Sequence, residues 1–146
     1  MKSDEILLNE IYENSVTAIN VLSDFMKKVD NEDMFNFLFE KMTEYRKIGI
    51  SAYNMLEEEN LLPKKSNNYP RFAIIASFGK PSANRLAKIL LEGSSEGFFS
   101  LINSINSCTN AKKETRQLAY RLLAVEDGNI HEMKKFLGSY LRLLLN

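Results

Sequence analysis

The sequence predicts an all-α fold, a bundle of four long helices arranged as two hairpins. All three prolines lie within residues 60–82, so the long blocks on either side contain no strong helix breaker. Within each block, apolar residues recur at alternating spacings of three and four, which is the period of a helix with one buried face. Each block is interrupted once, at residues 30–31 and at residues 110–111. A turn this short makes the flanking helices antiparallel neighbours.

The first block predicts two helices. Ser3 and the acidic residues after it form a favourable helix start. The inward stripe of the first helix is Leu8, Ile11, Ser15, Ala18, Leu22, Phe25 and Val29. Glu32 and Asp33 lie where the dipole of the second helix favours negative charge. The inward stripe of the second helix is Phe35, Leu38, Met42, Tyr45, Gly49, Ala52 and Leu56.

The segment that contains the prolines predicts a long crossover with a short amphipathic helix over residues 70–79. Ser82 is placed to cap the third helix. The inward stripe of that helix is Leu86, Leu90, Gly93, Gly97, Leu101, Ile105 and Cys108. The inward stripe of the fourth helix is Leu118, Leu122, Val125, Met133, Phe136, Leu137, Tyr140 and Leu144.

The composition fits one soluble domain over residues 1–146. Because 19 basic and 19 acidic side chains cancel, the chain lacks the excess positive charge of a general nucleic-acid binder. No apolar stretch approaches the roughly 20 residues that span a bilayer, and the opening MKSDEILLNE lacks the apolar centre of a signal peptide. The single cysteine excludes an internal disulfide. We therefore expect a cytoplasmic protein without nucleic-acid or membrane partners.

A few isolated residues invite a functional interpretation. Gly93 and Gly97 lie one turn apart on an inward stripe, where each costs about 1 kcal/mol relative to alanine. They indicate close helix packing, or space for a facing aromatic side chain or a small ligand. His131, the only histidine, shares a polar helix face with Asp127 and is predicted to be exposed. Cys108 ends the third helix without a predicted base, so we expect it to pack rather than to react.

Two hairpins joined by a long crossover resemble the ferritin-like four-helix bundle. The segments LLNEIYENS, LLEGSSEG and LLAVEDGNIHEMKKFL resemble those of small, uncharacterised bacterial ferritin-like proteins. This resemblance covers nearly the whole chain and implies an antiparallel ferritin-like bundle. Catalytic members of the superfamily bind two irons through one Glu from each of two helices and a Glu-x-x-His motif from each of the others.

The resemblance assigns four candidate metal ligands, and both histidines of the motif are missing. The glutamates that correspond by position are Glu13, Glu92, Glu44 and Glu126. Three residues after the last two stand Lys47 and Asn129 instead of histidine. We therefore predict a bundle without a complete di-iron site or cofactor, a non-catalytic binding or structural protein rather than an enzyme. The alternative is a metal-binding oxidoreductase or iron-handling protein in which these carboxylates bind iron or another divalent metal.

The last helix carries more leucines than one buried face needs. Leu141, Leu143 and Leu145 point away from its inward stripe. Because contiguous exposed apolar surface usually marks a contact, we predict a homodimer through this end of the chain. The alternative is that the predicted crossover helix packs over these leucines within the chain. A small ligand or a different protein partner is left open.

Overall fold

A computed structural model of the protein describes residues 2–64 and 82–145, with side chains as far as residue 138. The described residues form four helices and no strand. These are α1 (Lys2–Met26), α2 (Glu32–Glu58), α3 (Ala83–Ser107) and α4 (Lys113–Leu145). The predicted all-α bundle of two hairpins is therefore confirmed. The predicted crossover helix and the side chains of Tyr140, Leu141, Leu143, Leu144 and Leu145 lie outside the described part.

Local polar groups set the helix ends. Asn31 caps α2 by accepting a hydrogen bond from the Met34 backbone N–H at 2.8 Å. Ser82 caps α3 in the predicted way and accepts from the Arg85 backbone N–H at 3.2 Å. After α2, Asn60 adopts a left-handed conformation with φ 58°, which asparagine tolerates better than most residues.

The two hairpins lie so that α1 and α4 begin at the same end of the bundle. The Asp4 carboxylate accepts a hydrogen bond from the Lys112 backbone N–H at 2.7 Å, which joins the starts of these helices. The Lys112 ammonium group pairs with Glu59, which directly follows α2. Since α2 and α3 both end there, they run in the same direction, so α3 begins at the opposite end of the bundle from the end of α2.

All four helices contribute to one apolar core. Its fully buried large side chains include Leu7, Ile11, Phe25, Leu38, Ile48, Leu56, Leu86, Leu101 and Leu122. The predicted stripe of α2 was wrong at its start, because Phe35 is 40% exposed and Met34 is buried in its place. The α1 stripe was predicted to reach Val29, but the helix ends at Met26 in a turn. Within the described ranges, none of the helices combines the length and the apolar character needed to cross a membrane.

Candidate functional site

A cluster of polar side chains lies inside the bundle. Its members are Tyr45 on α2, Ser94 on α3, and Glu126 and Asn129 on α4. Each side chain is nearly fully buried, with an exposed fraction between 2% and 6%. Glu126 and Asn129 share one face of α4 because residues three apart are neighbours on a helix surface. We call these four residues the polar cluster.

Hydrogen bonds in the polar cluster all lead towards the Glu126 carboxylate. The Asn129 side-chain amide donates to the Tyr45 hydroxyl oxygen at 2.8 Å and to the Ser94 hydroxyl oxygen at 3.3 Å. Both hydroxyl groups are in turn hydrogen-bonded to Glu126. Because each hydroxyl accepts from Asn129, its own proton is free to point to Glu126. The carboxylate is therefore the final acceptor of the network.

Burial makes Glu126 titrate near neutral pH. Loss of hydration raises the pKa of its carboxyl group from 4.5 to about 7, although the hydrogen bonds from Tyr45 and Ser94 act in the opposite direction. Burial, followed by the nearby Glu126 charge, raises the pKa of the Tyr45 phenol well above its ordinary value. Tyr45 consequently stays a neutral donor, while Glu126 exchanges between its charged and neutral forms near pH 7.

A cavity of about 280 Å³ adjoins the polar cluster. Its apolar wall comes from α1 and α3 and includes Ala18, Val21, Leu22, Ile89 and Leu90. All four members of the polar cluster form part of its lining. Glu96 and Ser100, which are exposed, mark the side that faces solvent. The cavity thus has an apolar wall, a buried polar end and access from outside.

The two glycines on the inward stripe of α3 provide space beside the polar cluster. Gly93 and Gly97 both line the cavity. A Cβ atom built on Gly97 would lie 3.2 Å from the Glu126 carboxylate oxygen Oε1, closer than ordinary van der Waals contact. The prediction that these glycines face inward is confirmed. Glycine at position 97 leaves room for the buried carboxylate, and both glycines border the open space beside it.

Two buried amide atoms of the lining have no hydrogen-bond partner among the described residues. These are Nδ2 of Asn14, a donor on α1, and Oδ1 of Asn129, an acceptor in the polar cluster. A buried polar atom without a partner costs roughly 1–3 kcal/mol of stability. The lining therefore offers one donor and one acceptor in addition to the Glu126 carboxylate.

The four glutamates predicted as alternative metal ligands lie in different surroundings. Glu126 lies in the polar cluster, whereas Glu13 is half-buried on α1 and Glu92 is exposed on α3. Glu44, on α2, forms an ion pair with Lys41 at 3.4 Å. In the described ranges, no group of three or more Asp, Glu, His or Cys side chains is arranged to hold a metal ion. Binding of iron or another divalent metal by the four glutamates stays a prediction.

The remaining residues singled out in the sequence lie outside the site. His131 is exposed, as predicted. Cys108 is buried as predicted, and burial, together with the charges of Glu10 and Asp4, raises the pKa of its thiol. A raised thiol pKa disfavours the reactive thiolate, which fits a packing role.

Sequence reasoning missed Tyr45, Ser94 and Asn129 as members of one site. A signal was present in α4, where the apolar stripe is interrupted between Val125 and Met133. Inward positions in that gap are taken by Glu126 and Asn129, which are polar. A polar pair at an inward spacing, opposite two glycines on another helix, is typical of a buried polar layer.

Comparison with known proteins supports the fold. The crystal structure of a DUF305 fragment from Deinococcus radiodurans matches with a TM-score of 0.77 over 95% of this chain and 97% of the fragment. The two sequences are 12% identical, so the likeness extends to the fold alone. No protein-family model and no curated protein matches the sequence.

Proposed function

We propose that this chain is a non-catalytic binding protein of ferritin-like architecture that holds a small amphipathic molecule in its central cavity. The observation that carries the proposal is the pairing of an apolar wall with a polar end in which Glu126 is the final hydrogen-bond acceptor. Small-molecule sites are typically concave, mostly apolar and supplied with a few placed polar groups.

The size of the cavity favours a compact ligand. Its volume of about 280 Å³ exceeds the roughly 150 Å³ of an engineered apolar cavity that binds benzene. A substituted aromatic ring or a short branched chain would occupy such a space. Its apolar part would contact Ala18, Val21 and Ile89, and its polar group would meet the polar cluster.

The composition of the lining favours binding over catalysis. Among the described residues, no histidine, cysteine or lysine lines the cavity. Glu126 thus has none of these three partners there to complete a nucleophilic pair. Hydrogen bonding of a ligand needs no such partner.

A neutral probe tests the proposal. We expect 2-phenylethanol to bind the intact chain, as measured by changes in protein NMR chemical shifts during titration. Ala18→Phe, which places a ring in the apolar wall, should abolish these changes. Ala124→Phe is the matched control, because Ala124 is exposed on α4 and outside the lining. Circular dichroism verifies that both variants remain helical, and Ala18→Leu is the milder replacement if the first variant unfolds.

Absence of binding to the intact chain would contradict the proposal. So would binding that Ala18→Phe and Ala18→Leu leave unchanged while both variants stay folded. The metal-binding alternative makes a different prediction, a stoichiometric pair of irons per chain after incubation with ferrous iron, together with oxygen consumption. Elemental analysis of protein purified without chelators would measure that outcome directly.

A further inference from the structure

The cavity has an acidic character. The titratable side chains in its described lining are Tyr45 on α2, Glu96 on α3 and Glu126 on α4, and none of them is basic. From α1 the lining receives Asn14 and Thr17, which are uncharged. Any charge that develops on this described lining is therefore negative, and such a charge repels an anionic ligand.

Among the described residues, Glu126 is buried without a compensating positive charge. Its hydrogen-bond donors, Tyr45 and Ser94, are neutral hydroxyl groups, and no basic side chain of the described ranges contributes to the shift of its pKa. A buried charge is normally paired with an opposite one, because removal from water is otherwise costly. A cation held by the cavity would supply the partner that the described residues do not.

The acceptors beside the cavity also match the donors of an ammonium group. An ammonium group carries three N–H donors and accepts none. The Glu126 carboxylate can accept one, and the Asn129 carbonyl oxygen Oδ1 is buried in the same lining without a partner among the residues that the structure describes. An alcohol offers a single donor, and a carboxylate offers none, so neither satisfies both acceptors.

From this arrangement we propose that the ligand is an organic cation, a protonated amine on a compact apolar group, which pairs with Glu126 and Asn129. The apolar group lies against Ala18, Val21 and Ile89. This inference rests on the proposed function, because it specifies the chemical class of the molecule that the cavity binds.

Three probes of nearly equal size differ in the charge of their polar group and therefore test which charge the cavity prefers. They are 2-phenylethylamine, 2-phenylethanol and phenylacetate. In titrations of the intact chain at about pH 8, we expect the amine to bind about tenfold or more tightly than the alcohol, because a charge-assisted hydrogen bond is stronger than a neutral one. Phenylacetate should bind most weakly. Glu126→Gln should lower the amine affinity to near that of the alcohol.

Glu92→Gln is the matched control, since Glu92 is exposed on α3 and outside this cavity lining. It should keep the preference for the amine. In the native chain the amine affinity should also rise between about pH 6 and about pH 8, as Glu126 loses its proton, and the rise should be absent in Glu126→Gln.

Equal affinities for amine and alcohol in the native chain would overturn the cation proposal and leave the binding function standing. An amine preference that Glu126→Gln does not reduce would also overturn it. Failure of all three probes to bind would contradict the proposed function itself.

Discussion

Replacement of Glu126 by glutamine should stabilise the protein, and the gain should grow with pH. The folded chain holds the Glu126 proton up to a pKa of about 7, whereas the ordinary value is 4.5. Between these values the unfolded state releases a proton that the folded state retains, so the native protein loses stability as pH rises. At about 1.4 kcal/mol per pKa unit, the cost approaches about 3 kcal/mol above pH 7. Glutamine has a similar shape and cannot ionise.

The side chain is only 5% exposed, so solvent screening does little to reduce this cost. The difference in the free energy of unfolding between Glu126→Gln and the native chain should be near zero at about pH 4 and reach roughly 3 kcal/mol at about pH 8. A lost hydrogen bond from Tyr45 or Ser94 would subtract about 1 kcal/mol at every pH without changing the trend. Both proteins carry the same other titratable groups, so the contributions of those groups cancel when the two free energies of unfolding are subtracted.

Urea unfolding followed by circular dichroism, repeated across this pH range, measures the difference directly. Glu92→Gln serves as the control, because Glu92 is exposed and its neutralisation should give a small difference. Parallel stability curves for Glu126→Gln and the native chain would refute the reasoning. They would mean that the Glu126 charge is solvated or paired with a cation inside the protein.

Two further outcomes follow from the structure, and a third follows from the sequence. Gly97→Leu should cost about 1–3 kcal/mol in urea unfolding, because its side chain would displace the Glu126 carboxylate; a stabilised variant would contradict this packing. Asp4→Ala should cost about 1–3 kcal/mol near neutral pH, because Asp4 accepts from the Lys112 backbone N–H. Burial would raise the pKa of Asp4, but this bond and one from Thr115 help to lower it, so the contribution is present above pH 3.8 and lost as pH falls through the folded pKa. For the predicted homodimer, light scattering should detect a dimer of the intact chain and a shift towards monomer after truncation at Gly138; a monomeric intact chain at high concentration would contradict it.

The helices were predictable because their signals are local and repeated. Proline placement, cap residues and a periodic apolar stripe act within a few residues of one another, and Ser82 caps α3 where the sequence places it. Prediction failed at the start of α2, where a shift of one residue along the sequence changes which side chain is buried. Met34 and Phe35 are both apolar and adjacent, so periodicity alone could not assign the inward position at the start of α2.

The polar cluster was less predictable because it depends on three helices that are distant in sequence. Tyr45 fits the apolar stripe of α2 equally well as an ordinary core residue. Its contact with Asn129 joins residues 84 positions apart and depends on how α2 and α4 face each other. The inward glycines of α3 were a usable signal, since their conformational cost has to be offset by something in the tertiary structure.

The buried charge of Glu126 allows a structural role of this residue to be distinguished from a role in binding. If the bundle needed position 126 only for packing, an apolar side chain of similar volume would serve it better, because replacement of buried charged groups is often neutral or stabilising. A role in fold specificity predicts that Glu126→Gln disturbs the cooperativity of unfolding or the packing of α4. A role in binding predicts that the same variant unfolds cooperatively, gains stability above pH 7 and loses its preference for an amine. Stability and ligand preference should therefore be measured together on this one variant. Only a role in binding predicts that its stability rises while its preference for an amine falls.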